Sequence, residues 1–123
     1  MITEAHMKSM LENYIEAFNS GNPSAVAELF AENATVEDPV GSEVRQGRKS
    51  IEEFYVYAVG TGAKLNLDAP IRASRSNYAA MAFTVSVNYQ GRDSKMRVID
   101  VMSFAGDGKI ASMQAFWGES DIV

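Results

Sequence analysis

YAAMAFTVSVNYQGRDSKMRVIDVMSF, residues 78–104, decides the fold class. Met81, Phe83, Val85 and Val87 alternate with Ala82, Thr84, Ser86 and Asn88, and a period of two gives an extended strand one apolar and one polar face. Gln90 and Gly91 supply a tight turn into a second strand over 92–104, so the stretch reads as a long antiparallel hairpin. In the second arm, VIDVM at 98–102 sets Asp100 among Met96, Val98, Met102 and Phe104, with Ile99 and Val101 on the opposite face. That arm is expected to be buried on both sides. A carboxylate placed there must find a cation, several hydrogen-bond donors or a proton.

The flanking segments extend the pattern. Downstream, Asp107 and Gly108 make a turn into a last strand over 110–118, whose inner face carries Ala111, Met113, Ala115 and Trp117. Upstream, Met7, Met10, Leu11, Tyr14, Ile15 and Phe18 fall at helical spacing and predict an amphipathic helix over 3–20 with Tyr14 pointing inward. Gly21, Asn22 and Pro23 read as stop, N-cap and first residue of a short second helix running to about residue 31. From Ala34 the period is two again, with Ala34, Val36, Asp38 and Val40 on one face, Pro39 ending regular pairing and Gly41 allowing a sharp turn. Ile51, Phe54, Tyr55, Ala58 and Val59 predict a third helix over 48–59, stopped by Gly60. Residues 60–77 read as either a hairpin or a mobile rim. Three helices before long antiparallel strands predict an α+β fold, in which helices lie against a strongly curved, mostly antiparallel sheet that makes a cone with an apolar interior. Such interiors bind small apolar molecules.

Composition narrows the function. The 123 residues, 46% of them hydrophobic, are expected to form one domain (1–123) with room for a sizeable core. A formal net charge of −5 argues against nucleic acid or an anionic membrane surface as partner. The absence of cysteine excludes disulfides, thiolate metal sites and a thiol nucleophile. Neither a basic n-region with an apolar run nor a bilayer-length apolar stretch occurs, so a cytoplasmic location is expected. His6, the only histidine, is expected on the surface, and no serine or threonine has a histidine to activate it. The carboxylates show no calcium-loop or zinc spacing, so no metal and no cofactor are expected.

Three polar side chains on apolar faces remain, each open to a structural reading. Tyr14 can be a core tyrosine bonded to a backbone carbonyl, and Asp38 a turn residue capping its own backbone. Asp100 can pair with Arg45, Arg72 or Arg92, since alternation sends Arg97 to the other face. Taken together, the three suit proton abstraction beside a carbonyl. That chemistry needs a base, met by Asp38, and donors to an oxygen turning into an enolate, met by Tyr14 and a protonated Asp100.

This constellation, with TVEDPVGSE at 35–43, FTVSVNYQGR at 83–92, VIDVM at 98–102 and SMQAFWGE at 112–119, resembles the ketosteroid isomerases (steroid delta-isomerases) of the nuclear-transport-factor-2-like and SnoaL-like superfamily. The resemblance implies a steroid substrate, with Asp38 as general base, Tyr14 and protonated Asp100 as oxyanion donors and Tyr55 orienting Tyr14. It places Phe18, Phe54, Phe83, Val85, Val98, Met113, Ala115 and Trp117 around the substrate, with the Trp117 indole donating toward the base. A tyrosine found in some members is Phe30 here. Residues 56–77 match the family weakly. A homodimer through outward sheet faces is also implied. The same cone hosts SnoaL-like cyclases and epoxide hydrolases, whose Asp-Arg-Asp network would put an arginine between Asp38 and Asp100, and a non-catalytic binding module is a third possibility.

Overall fold

The computed structural model describes residues 2–123. Helix α1 (Glu4–Asn19) starts where the Thr3 hydroxyl accepts from the His6 amide at 3.0 Å and buries Met7, Met10, Leu11, Tyr14 and Phe18. At its end Gly21 takes a φ of 79°, open to glycine without strain, and the chain turns into α2 (Pro23–Ala27), capped by the Asn22 side-chain Oδ1, which accepts from the Ala25 amide. Strand β1 (Phe30–Glu37), strand β2 (Arg45–Gln46) and helix α3 (Arg48–Gly60) follow, the last with Ile51 and Tyr55 buried. Then come β3 (Lys64–Leu67), β4 (Arg72–Ala73), β5 (Tyr78–Tyr89), β6 (Arg92–Phe104) and β7 (Ile110–Phe116).

The seven strands make a curled, unclosed sheet in the order β2-β1-β7-β6-β5-β3, with β4 also on β5. Every pairing is antiparallel except β1 with β7. This is the expected α+β cone. The register aligns Met81 with Asp100 and Ala115, Phe83 with Val98, and Val85 with Met96, so these residues share the face toward the helices.

Several expectations change. The second helix ends at Ala27 and strand β1 begins at Phe30, because the Leu29 carbonyl accepts from the Ile110 amide at 2.9 Å and the Arg48 guanidinium donates twice to the Phe30 carbonyl. Val26, Leu29 and Phe30 also fit a helical stripe, which carries the sequence reading too far. Val40 is exposed rather than inward, its amide donating to the Ala115 carbonyl at 2.8 Å. Residues 60–77 are neither a hairpin nor a free rim, since β3 and β4 pair successively along β5. Asn19 fastens β3 by accepting from the Leu65 amide at 2.7 Å and donating to its carbonyl at 2.8 Å. His6 is exposed, yet its ring Nε2 bonds the Gly108 carbonyl at 2.8 Å.

The expectation that β6 is buried on both faces fails for Ile99. It is 49% exposed, and its register partner Phe116 on β7 is 45% exposed. These residues share the sheet face turned away from the helices. Among the described residues, no helix is long and apolar enough to cross a membrane.

Candidate active site

A cavity of about 310 Å³ opens between the helices and the inner face of the sheet. Tyr14 and Phe18 of α1 form one side, and Phe54, Tyr55, Tyr57 and Ala58 of α3 another, continued by Thr61, Ala63 and Leu65. Phe83 and Val85 of β5 and Met96, Val98 and Asp100 of β6 line the sheet side, and Asp38 and Trp117 complete the wall. The volume lies near the lower end of the ordinary ligand range, about 300–1,000 Å³. No lysine or arginine belongs to the lining among the described residues.

Each polar group is positioned by its element. Tyr14 stands on the buried stripe of α1, and its hydroxyl meets that of Tyr55 from α3 at 2.7 Å, where either can be the donor. Their rings meet edge to face at 5.7 Å, and Phe18 and Phe30 also pack on Tyr55. Asp38 directly follows β1. The parallel register sets Glu37 beside Gln114, and the Val40 amide holds the Ala115 carbonyl, which brackets Asp38 against the end of β7. The Trp117 indole Nε1 there donates to Asp38 Oδ1 at 2.7 Å. The Asp38–Pro39 peptide is cis. Asp100, 1% exposed, comes from the middle of β6 between Met81 and Ala115 of the neighbouring strands.

Tyr14, Asp38, Asp100, Tyr55, Phe18, Phe54, Phe83, Val85, Val98 and Trp117 all line this one cavity. Met113 and Ala115 do not line the cavity: Met113 pairs with Met102 in the core, and the short Ala115 side chain lies beside Asp100. The sequence reading missed Tyr57, Ala58, Thr61, Ala63, Leu65 and Met96 as lining residues. Met96 carried a usable signal, because it shares a strand face with Asp100.

The electrostatics separate the two carboxyl groups. Burial pushes Asp38 up from the ordinary aspartate value, while the Trp117 hydrogen bond and the Arg45 charge pull it back. Asp100 is pushed well above the carboxylate range by burial first and by the Asp38 charge second, with no arginine contributing. Its pairing with Arg45, Arg72 or Arg92 is thus not formed. The Tyr14 phenol rises well above its usual value through burial, then the Tyr55 and Asp100 charges, and Tyr55 is likewise raised by burial. The arrangement sets Asp38, which accepts from an indole, beside three oxygen acids, Tyr14, Tyr55 and Asp100, all shifted toward keeping their protons.

Residues 11–113 match the family model of the SnoaL-like domain. The chain belongs to the SnoaL-like domain family. Within the range of proteins similar to this SnoaL-like domain, a steroid delta-isomerase of Nocardioides simplex is 39% identical over 97% of this chain and 95% of its own. The epoxide hydrolase LasB of Streptomyces lasalocidi is 28% identical over 98% of this chain, which spans 44% of LasB. Among solved structures, the epoxide hydrolase/cyclase-like enzyme SalBIII, studied for pyran ring formation in the polyether salinomycin, superposes with a TM-score of 0.88. It is 32% identical, with 94% of this chain and 92% of SalBIII covered.

The buried acid of this SnoaL-like domain has a stability consequence. Asp100 keeps its proton to higher pH when folded than when unfolded, so its contribution is complete below the unfolded pKa, declines above it and is gone beyond the folded one. Asp100→Asn, neutral at every pH, is expected to be more stable than the parent at pH 8 and to lose that advantage in acid. Urea midpoints at the two pH values check this, and equal midpoints at pH 8 would contradict a buried acid that resists ionisation.

Proposed function

We propose that the chain is an allylic isomerase converting a Δ5-3-ketosteroid to its conjugated Δ4 isomer. The observation that carries the reading is the convergence of Asp38, Tyr14 and Asp100 on one largely apolar cavity whose lining has no cation. Asp38 takes a proton from C4, and the electron pair moves into the carbonyl to give a dienolate oxygen. Tyr14 and protonated Asp100 donate hydrogen bonds to that oxygen, which carries more charge than the ketone did. The protonated Asp38 then returns the proton to C6, leaving the C=C bond between C4 and C5. Tyr55 donates to the Tyr14 oxygen, freeing the Tyr14 proton for the substrate. Burial of flat apolar rings against Phe18, Phe54, Phe83, Val85 and Val98 supplies the binding.

The Nocardioides relative supports this choice. LasB and SalBIII support the alternative, epoxide opening or cyclisation, but that reading calls for an arginine between the carboxylates. Arg45 is exposed and rests at the rim, with its guanidinium over Phe54. Mixing the protein with a Δ5-3-ketosteroid and following the ultraviolet absorbance of the conjugated enone tests the proposal. A catalysed rise is expected. Binding of a phenolic steroid with no rise would refute isomerisation and favour a binding module or the epoxide chemistry.

A homodimer belongs to the same reading, with a second copy covering the outer sheet face where Ile99 and Phe116 lie side by side. Sedimentation equilibrium is expected to give twice the chain mass, reduced by Phe116→Asp. A parent that stays monomeric at micromolar concentration would contradict it.

A further inference from the structure

Arg45 is not among the cavity-lining residues, yet its charge is felt at Asp38. It lies on the two-residue strand β2 opposite Val36, two residues before Asp38 in β1. Although exposed, its guanidinium carbon stands 5.0 Å from the centroid of the Phe54 ring. The Phe54 ring in turn meets Tyr55 edge to face at 5.0 Å and lines the cavity. Phe54 thus serves two neighbours: it holds the cation and contributes to the apolar wall.

We propose that Arg45 is a positioning residue of the reaction, a cation parked on Phe54 at the rim that acts on Asp38 through space and stays outside the cavity. The proposal rests on Asp38 being the base. A base in a half-buried site needs help to remain ionised, but a bidentate guanidinium pair would tie up its oxygens and take the basicity away. Here the direct hydrogen bond on Asp38 comes from a neutral indole, and the cation contributes charge alone. The other groups facing Asp38 are known: Trp117 from the end of β7, Tyr14 from α1, Tyr55 from α3 and Asp100 from β6. Neighbouring Glu37 is engaged elsewhere, by the Gly41 amide and the Gln114 side chain. Removing Arg45 therefore leaves burial opposed by Trp117 alone.

The test is a carbon NMR titration of the Asp38 carboxyl, assigned with Asp38→Asn, in the parent, Arg45→Gln and Arg45→Lys. Arg45→Gln is expected to titrate at higher pH than the parent, and Arg45→Lys to return toward it. The gap between Gln and Lys should narrow as salt is raised, because an exposed charge is screened. In the enone assay, kcat/KM of Arg45→Gln should fall by about two- to fivefold at acidic pH, the size an exposed charge pair commands, and less at alkaline pH. Coincident Asp38 titrations in the parent and Arg45→Gln would overturn the proposal. The titration does not depend on turnover, so a protein inactive on ketosteroids would sink the isomerase reading while Arg45 is still judged by its effect on Asp38.

Discussion

Asp38→Asn is expected to lower kcat by about 10²- to 10⁴-fold, the range a positioned general base supplies, while a phenolic steroid still binds. The substitution is nearly isosteric, and the amide oxygen can still accept from the Trp117 indole that holds Asp38 Oδ1 at 2.7 Å. What is lost is an oxygen able to take the C4 proton. The other carboxyl group lining the cavity, Asp100, is raised first by burial, which persists when the Asp38 charge is removed, so it is a poor replacement. Turnover from enone absorbance, set beside the dissociation constant of the phenol, checks both halves. Undiminished turnover would remove Asp38 from the reaction.

Tyr14→Phe is expected to cost about 10²- to 10³-fold in kcat, as loss of one oxyanion donor does, with a smaller change in KM. The donor matters most once charge has moved onto the substrate oxygen, so kcat carries the loss. The ring itself remains to pack against Phe18, Phe30 and Tyr55, which keeps the cavity shape. Asp100→Ala is expected to cost less, since the space it opens admits water that can donate in its place. Steady-state kinetics of the two variants on one substrate decide the order, and a larger loss in Asp100→Ala would reverse the assigned roles.

Much of this site could be read from the sequence, because strand and helix periodicities are local. The side of β6 that carries Asp100, the inward turn of Tyr14 and the face that Asp38 shares with Ala34 and Val36 each follow from a few neighbouring residues. The same locality explains the misses. Val26, Leu29 and Phe30 satisfy a helical stripe, and only the Ile110 amide and the Arg48 guanidinium, both distant in sequence, draw that backbone into β1. Ile99 and Val101 are as apolar as a buried face demands, but alternation cannot say whether another layer lies on top. Tyr57 is 75% exposed and yet lines the cavity mouth, a dual position that depends on how the sheet curls past α3. Met113 and Ala115 show the converse, with inner-face positions buried in the core and absent from the cavity lining.

The central claim is that one carboxylate carries one proton from C4 to C6 across the face of the steroid. Turnover of a Δ5-3-ketosteroid deuterated at C4, with the product examined by deuterium NMR, measures that transfer directly. The account predicts label at C6 above the level that exchange with water would leave, and none from Asp38→Asn over the same period. Enone formed with no label at C6 would contradict it.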